Sequence, residues 1–153
     1  GPFVKQNTLR VGSESISDLR KISVQTMPIA STATKVGSFY DNTATSFRPL
    51  QDVATTIETS GGALDLSFDG DFSFVGGVAG TAYLAFYVDG KIAGKEFARY
   101  FPADGQVKQF TAKTLIPVAA GEHHVVVMFR LGAATSTFRA EVKRDLTVRE
   151  VKN

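Results

Sequence analysis

Residues 63–74 read ALDLSFDGDFSF, and apolar and polar side chains alternate along almost the whole stretch. The large apolar residues all have even numbers: Leu64, Leu66, Phe68, Phe72 and Phe74. Because successive side chains of a β-strand point to opposite faces of the sheet, this pattern predicts strands with one buried and one solvated face. The Asp69-Gly70 pair in the middle favours a tight turn, which would divide the stretch into two strands.

The same alternation recurs along most of the chain from about Phe39 onwards. It is clearest in GTAYLAFYVDG (residues 80–90), QVKQFTAKTLIPV (106–118) and ATSTFRAEV (134–142). In the last segment Phe138, Ala140 and Val142 share one face of the expected strand. Turn-forming pairs separate the segments: Gly61-Gly62, Gly76-Gly77, Asp89-Gly90, Asp104-Gly105 and Ala120-Gly121. About eight short strands at intervals of roughly 8–15 residues predict an all-β protein, an antiparallel sandwich or barrel.

The composition fits one compact domain without disulfides. The chain has 153 residues, enough for a self-sufficient core, and contains no cysteine. Its 17 basic and 15 acidic residues are interspersed, whereas a nucleic-acid surface concentrates positive charge. No apolar run approaches the about 18 residues of a membrane span. We therefore expect neither nucleic-acid binding nor membrane insertion.

The chain divides into two parts of different composition. Residues 1–35 are polar and rich in Ser and Thr, and we interpret them as a linker or stalk. Residues 36–153 carry the alternating pattern and form the expected β-sandwich domain. The opening Gly-Pro resembles the remnant of a cleaved tag, which suggests that the chain is a piece of a longer protein.

Two adjacent histidines stand in the segment GEHHVVVMFRL (residues 121–131). In a strand His123 and His124 point in opposite directions, so they cannot bind one metal ion together. The chain has no other histidine and no cysteine, and no nucleophile motif accompanies the pair. We therefore expect one buried and one surface or interface histidine, with no metal, no cofactor and no catalytic residue.

Several carboxylates keep a glycosidase open at this stage, because the distance between two carboxylates cannot be read from a sequence. They are Asp65, Asp69, Asp71, Glu96 and Asp104. Tightly alternating strands leave little loop for a substrate cleft, however, so we expect that the protein is not an enzyme.

Two strands carry apolar side chains on both faces, which indicates that something covers their second face. The residues of that second face are Tyr83, Tyr87, His124, Val126 and Met128. Tyrosine suits a subunit interface, because its ring supplies apolar area and its hydroxyl finds a partner. We interpret the set as an interface between subunits; the alternative is that Tyr83 and Tyr87 cover the core edges of a single chain.

Three segments follow one another near the C-terminus: LIPVAAGEHHVVVMFRL (115–131), GAATSTFRAEV (132–142) and RDLTVREV (144–151). They resemble the C-terminal strands of phage tail-fibre and tailspike jelly-roll domains, and the resemblance covers roughly residues 45–151. Such domains are similar to the trimeric heads of the tumour-necrosis-factor and complement-C1q type. The resemblance implies a jelly-roll sandwich assembled as a homotrimer on a virion. It would attach to a host-surface glycan or protein receptor, or hold three chains in register.

A glycan site would be expected at aromatic residues near turns, since their rings stack on sugars while nearby polar groups take the hydroxyls. The candidates are Phe39, Tyr40, Asp41, Tyr100 and Phe101. The alternative is that these aromatics close the ends of the sandwich. Two other functions remain open: a monomeric carbohydrate-binding module of a secreted bacterial enzyme, and a structural or decoration protein of a particle.

Overall fold

The computed structural model describes residues 38–152, which form an all-β domain. Its eight strands are β1 (Tyr40–Asn42), β2 (Arg48–Thr59), β3 (Gly62–Val75), β4 (Gly80–Val88), β5 (Lys91–Phe101), β6 (Lys108–Val118), β7 (Gly121–Leu131) and β8 (Thr137–Val151). The expected linker or stalk of residues 1–35 lies outside the described residues. Between residues 38 and 152 there is no helix with the length and apolar character that crossing a bilayer requires.

The strands form two antiparallel sheets of four strands each. The first sheet has the order β1-β8-β3-β6, and the second sheet has the order β2-β7-β4-β5. Only β4 and β5 are joined as a hairpin within one sheet, whereas every other connection crosses between the sheets. This connectivity is that of a jelly roll. The prediction of an antiparallel jelly-roll sandwich of about eight strands is confirmed.

The stretch at residues 63–74 lies in one continuous strand, so the predicted turn at Asp69-Gly70 is wrong. Gly70 pairs with Phe110 on β6 and with Arg144 on β8. A Cβ atom at Gly70 would lie 2.6 Å from the ring of Phe68. Glycine leaves room here for a ring that crosses the backbone, and it does not mark a turn.

The Asp89-Gly90 pair does form a tight turn. Both residues have positive φ, 53° for Asp89 and 84° for Gly90. The flanking residues Val88 and Lys91 pair directly, so the turn joins β4 and β5 with two residues. Positive φ at both central positions matches the right-handed twist of a hairpin, and Asp-Gly tolerates it well.

Phenylalanine rings from both sheets meet around Phe138 of the first sheet. Its ring centroid lies 4.9 Å from Phe72 and 5.7 Å from Phe74, which are in the same sheet. It also lies 5.5 Å from Phe101 and 5.5 Å from Phe129 of the second sheet. Aromatic pairs at these separations add to the stability that burial provides. The alternation that predicted the core is confirmed in β3, where all the even-numbered apolar residues are buried.

Strand β8 contains a wide bulge that the sequence pattern did not predict. Phe72 pairs with Ala140 and Gly70 pairs with Arg144, so residues 141–143 lie opposite a single residue of β3. The bulge turns Val142 outward, and its side chain is 42% exposed. The predicted placement of Val142 on the core face with Phe138 and Ala140 is therefore wrong, because bulged residues leave the alternation of the strand.

The side chain of Arg144 is fully buried and binds backbone carbonyls from three segments. Its Nε donates to Glu141 O at 2.7 Å, inside the bulge of β8. Its Nη1 donates to Gln51 O at 3.1 Å, and its Nη2 donates to Ser38 O at 2.6 Å. Gln51 belongs to a second bulge, in which residues 50–53 of β2 lie opposite the single residue Val127 of β7.

Removing the positive charge of Arg144 from water costs free energy. Burial lowers the pKa of its guanidinium below the ordinary arginine value, and the nearby carboxylates of Asp52 and Glu141 oppose this shift. The side chain is retained at this cost because it satisfies carbonyls that the two bulges remove from the sheet ladders.

We predict that Arg144→Met lowers the free energy of unfolding by about 3 kcal/mol, since three carbonyls lose a charged donor while the apolar part of the side chain is kept. Urea unfolding followed by circular dichroism measures the change. Arg149→Met is the matched control, because Arg149 lies on the same strand and is exposed. It should change the free energy by less than about 0.5 kcal/mol. Equal effects of the two substitutions would contradict a structural role for Arg144.

Candidate functional site

A pocket of about 320 Å³ lies beside β1, an edge strand of the first sheet, where the chain continues into β2. We call it the corner pocket. It is lined by Tyr40, Asp41, Asn42, Thr43, Ala44, Arg48 and Pro49. Two of the residues expected to bind a ligand, Tyr40 and Asp41, are thus brought together at a concave surface.

Asp41 is held in place by Arg139 of the neighbouring strand β8. The Nε of Arg139 donates to Asp41 Oδ1 at 2.9 Å, and Nη2 donates to Oδ2 at 3.1 Å. The guanidinium carbon of Arg139 lies 3.7 Å from the ring centroid of Phe39, whose side chain is 52% exposed. The third expected residue, Phe39, directly precedes Tyr40 and presents a half-exposed ring that is fixed by a cation–π contact, although it does not line the pocket itself.

The floor of the corner pocket is attached to the core through Phe129. The ring of Tyr40 stacks on Phe129 with 5.9 Å between centroids. The buried Asn42 donates from Nδ2 to Phe129 O at 2.9 Å, and its Oδ1 accepts from the Ala44 backbone N at 3.0 Å. The pocket is consequently preformed, as small-molecule sites usually are.

The sequence pattern does not mark Arg48 or Thr43 as part of a site. Both side chains are exposed, and within residues 38–152 neither forms an ion pair or a side-chain hydrogen bond. Arg48 opposes Phe129 in the register of β2 with β7. It reaches the pocket only because β1 and β2 stack at the same side of the sandwich, and a sequence pattern does not carry that information.

The second expected aromatic pair lies elsewhere. β1 adjoins β2 at one side of the sandwich, and β5 adjoins β6 at the other. Phe101 of β5 is only 1% exposed and stacks on Phe74, with centroids 4.9 Å apart. Its ring is part of the core and cannot contact a ligand, which corrects the expectation for Phe101. Tyr100 is 61% exposed and pairs with Thr81, so it belongs to the outer face of the second sheet.

That outer face carries the residues that the sequence predicted for a subunit interface. Tyr83 opposes Arg130, Met128 opposes Ala85, and Tyr87 opposes both Val126 and Ile92. We call this surface the aromatic face and define it by Phe47, Tyr83, Tyr87, Ile92, Tyr100, Val126, Met128 and Arg130. His124 is exposed at its end, with Nδ1 3.3 Å from Thr56 Oγ1.

The tyrosines of the aromatic face already have partners within the chain. The guanidinium carbon of Arg130 lies 4.0 Å from the ring centroid of Tyr83 and 5.2 Å from that of Phe47. Phe47 also contacts Tyr87 edge-on, with 6.0 Å between centroids. Tyr83 and Tyr87 are therefore half-buried in a single chain, and Ile92 at 45% exposure leaves apolar area open beside them.

The outer face of the first sheet is polar. Lys143 Nζ donates to Asp69 Oδ2 at 2.7 Å, and Lys113 Nζ to Asp65 Oδ1 at 3.4 Å. Burial opposes ionisation of Asp69, but hydrogen bonds from Lys143 and Gln109 outweigh it and hold the pKa of Asp69 below its usual value. Alternating charges of this kind are typical of a solvated surface. The two outer faces of the sandwich thus differ in character.

His123 makes contacts that link three segments at the far end of the sandwich. Its Nδ1 lies 2.6 Å from Asp89 Oδ2 and its Nε2 lies 2.7 Å from Ala119 O. The other oxygen of Asp89 accepts from the His124 backbone N at 2.9 Å. The Ala119 carbonyl and the Asp89 carboxylate raise the pKa of His123. Sequence analysis missed Asp89 as the partner, because only the β4–β5 turn brings it to β7.

The strand order and the arrangement of the two faces define an antiparallel jelly-roll sandwich. Solved structures with this fold include Eiger TNF from S. frugiperda, with a TM-score of 0.59 and 8% sequence identity. The similarity covers 84% of this chain and 95% of that one. At such low identity it shows the fold alone, which agrees with the resemblance to trimeric heads of the tumour-necrosis-factor type.

Two further solved structures are less similar. Dimeric latent PorU from Porphyromonas gingivalis has a TM-score of 0.49 and 10% identity, over 81% of this chain and 13% of that one. The C-terminal domain of EclA, a sugar-binding protein, has a TM-score of 0.43 and 10% identity, over 95% and 96% of the two chains. No protein-family model matches the chain, and no curated protein is similar to it in sequence.

We predict that His123→Gln changes how stability depends on pH. A histidine whose pKa is raised by folding stabilises the fold below its unfolded value, 6.5, and this contribution is lost as pH rises through the folded pKa. The unmodified protein should therefore lose free energy of unfolding from about pH 6.5 upwards, and His123→Gln should lack this loss. Urea unfolding across that range measures it. His124→Gln leaves the contact between His123 and Asp89 intact and should keep the pH dependence of the unmodified protein. The same dependence of unfolding free energy on pH in all three proteins would refute the role of His123.

Proposed function

We propose that the chain is the homotrimeric head domain of a virion-borne fibre of the phage tail-fibre or tailspike type. In this proposal the head lies outside the cell on the virion and attaches to a glycan or protein receptor on the host surface. The observation that carries the proposal is the contrast between the two outer faces of the jelly roll. One face carries ion pairs of Lys143 with Asp69 and of Lys113 with Asp65 around the exposed Leu115, and the other presents Tyr83, Tyr87, Met128 and Ile92 together.

The aromatic face has the composition of a subunit interface. Interface cores are enriched in Tyr, Phe, Met and Arg and are poor in Lys and Asp, which are abundant on the outer face of the first sheet. Arg130 supports this role because it is already stacked on Tyr83 and paired with Glu96 at 2.7 Å. Burial of the face by a second subunit would therefore remove apolar area from water without isolating an unpaired charge.

We predict a trimer in solution whose assembly depends on the aromatic face. Light scattering coupled to size exclusion should give three times the mass of one chain, 16.4 kDa, over a range of concentrations. Ile92→Glu should shift the mass towards that of one chain, since it places a charge where an apolar partner is expected. Leu115→Glu is the matched control, because Leu115 is 61% exposed and opposes Asp65 on the polar outer face. It should leave the trimer intact.

A mass of one chain at every concentration would reject the trimeric head. It would favour the monomeric carbohydrate-binding module and would leave Tyr83 and Tyr87 as intrachain cover of the second sheet. A trimer that binds neither host cells nor their polysaccharide would favour a structural or decoration protein of a particle.

The corner pocket supports a glycan as the receptor component. The half-exposed Phe39 directly precedes the residues that line the pocket, among them Asp41 with its carboxylate and Thr43 with its hydroxyl. Rings combined with polar groups in this way suit sugars, which have apolar faces and hydroxyl edges.

We predict that Phe39→Ala weakens binding to surface polysaccharide by about tenfold, which corresponds to the loss of one ring stacked on a sugar. An array of purified bacterial surface polysaccharides measures the binding. Leu115→Ala removes an exposed apolar side chain at the opposite edge of the first sheet and should have no effect. Binding that is unaffected by Phe39→Ala would place the glycan site elsewhere on the domain.

A further inference from the structure

We propose that the corner pocket selects a sugar that carries a carboxylate and that Arg48 is the residue that binds this anion. The inference rests on the glycan binding proposed above, and it adds the chemical class of the sugar. It is carried by the distribution of charge around the pocket, the free polar groups that line it and the way in which Arg48 is held.

Among the residues that the structure describes, the pocket has one cation without a partner. The carboxylate of Asp41 is bound at both oxygens by Arg139, so these two charges neutralise each other. Arg48 lines the same pocket, and no carboxylate within residues 38–152 pairs with it. A guanidinium presents two parallel N–H donors that match the two oxygens of a carboxylate. A ligand with one negative charge therefore complements the pocket.

The remaining groups of the pocket suit the uncharged part of a sugar. Thr43 and Tyr40 carry hydroxyls that no hydrogen bond occupies within the described residues. Within the described part of the chain β1 pairs on one side only, with β8, so the other edge of its backbone offers further donors and acceptors. A volume of about 320 Å³ lies at the lower end of the range of small-molecule sites, about 300–1,000 Å³, and suits one or two sugar units.

Arg48 is positioned by the same residue that fixes the floor of the pocket. Phe129 opposes Arg48 in the sheet, carries the stacked ring of Tyr40 and accepts a hydrogen bond from Asn42. Pro49 follows directly and restricts the backbone of Arg48 to extended conformations. The backbone of Arg48 and the ring of Tyr40 are therefore held on one rigid base, which lowers the entropy lost when a ligand binds.

The test uses oligosaccharides that end in glucuronic or galacturonic acid, each beside the same oligosaccharide with its carboxylate reduced to an alcohol. Calorimetric titration into the unmodified protein should show binding of the acid about tenfold tighter than binding of the alcohol. Arg48→Gln should remove this difference, and its circular dichroism spectrum should match that of the unmodified protein, which shows that the variant is folded. Arg149→Gln removes an exposed arginine from β8, away from the pocket, and should keep the difference.

Three outcomes would overturn the proposal. Equal affinity of the unmodified protein for acid and alcohol would remove the selectivity and leave glycan binding in place. An equal loss of the difference in Arg48→Gln and Arg149→Gln would attribute it to the general charge of the protein. If the protein binds neither oligosaccharide, the proposal that the pocket takes an acidic sugar is overturned. Whether the domain binds glycans at all is decided separately, by the array of surface polysaccharides.

Discussion

The structure depends on the hydrogen bonds that Arg144 donates to three backbone carbonyls. Two strands, β2 and β8, leave their regular ladders at the same level of the sandwich, and each bulge frees carbonyls inside the protein. One guanidinium satisfies a carbonyl from each bulge, and it also binds Ser38 just before β1. A neutral side chain could not donate in three directions. The position where the chain enters the sandwich is therefore fixed by a single buried cation.

The aromatic core also holds residues of the candidate site in place. Phe138 packs against rings of both sheets, and one of these rings, Phe129, also contacts Tyr40 and Asn42, two residues that line the corner pocket. Packed aromatic rings deform little, so the groups attached to Phe129 keep their spacing when solvent or a ligand occupies the pocket. The site is built from an edge strand, the short connection that follows it, which carries Thr43 and Ala44, and the start of the next strand.

The sequence predicted the features that arise within a single strand. It did not predict the features that depend on how strands or sheets pack against each other. Alternation is local, so the buried face of β3 and the number of strands followed from it. Gly70 was misread as part of a turn because the crossing ring of Phe68 is a matter of packing. Val142 was misplaced because a bulge is defined by its partner strand. Arg48 was not identified, because a sequence does not show which edge strands stack on each other.

The aromatic face and the corner pocket meet at two consecutive residues. Phe47 lies over the aromatic face, in contact with Tyr87 and Arg130, while Arg48 lines the pocket. A second subunit that packs on the aromatic face would contact Phe47 and would restrain the backbone of the next residue, Arg48. Assembly and ligand binding would then be coupled, because a restrained Arg48 loses less freedom when it binds an anion. The connection between β1 and β2 would therefore link the interface of the proposed trimer to the proposed receptor site.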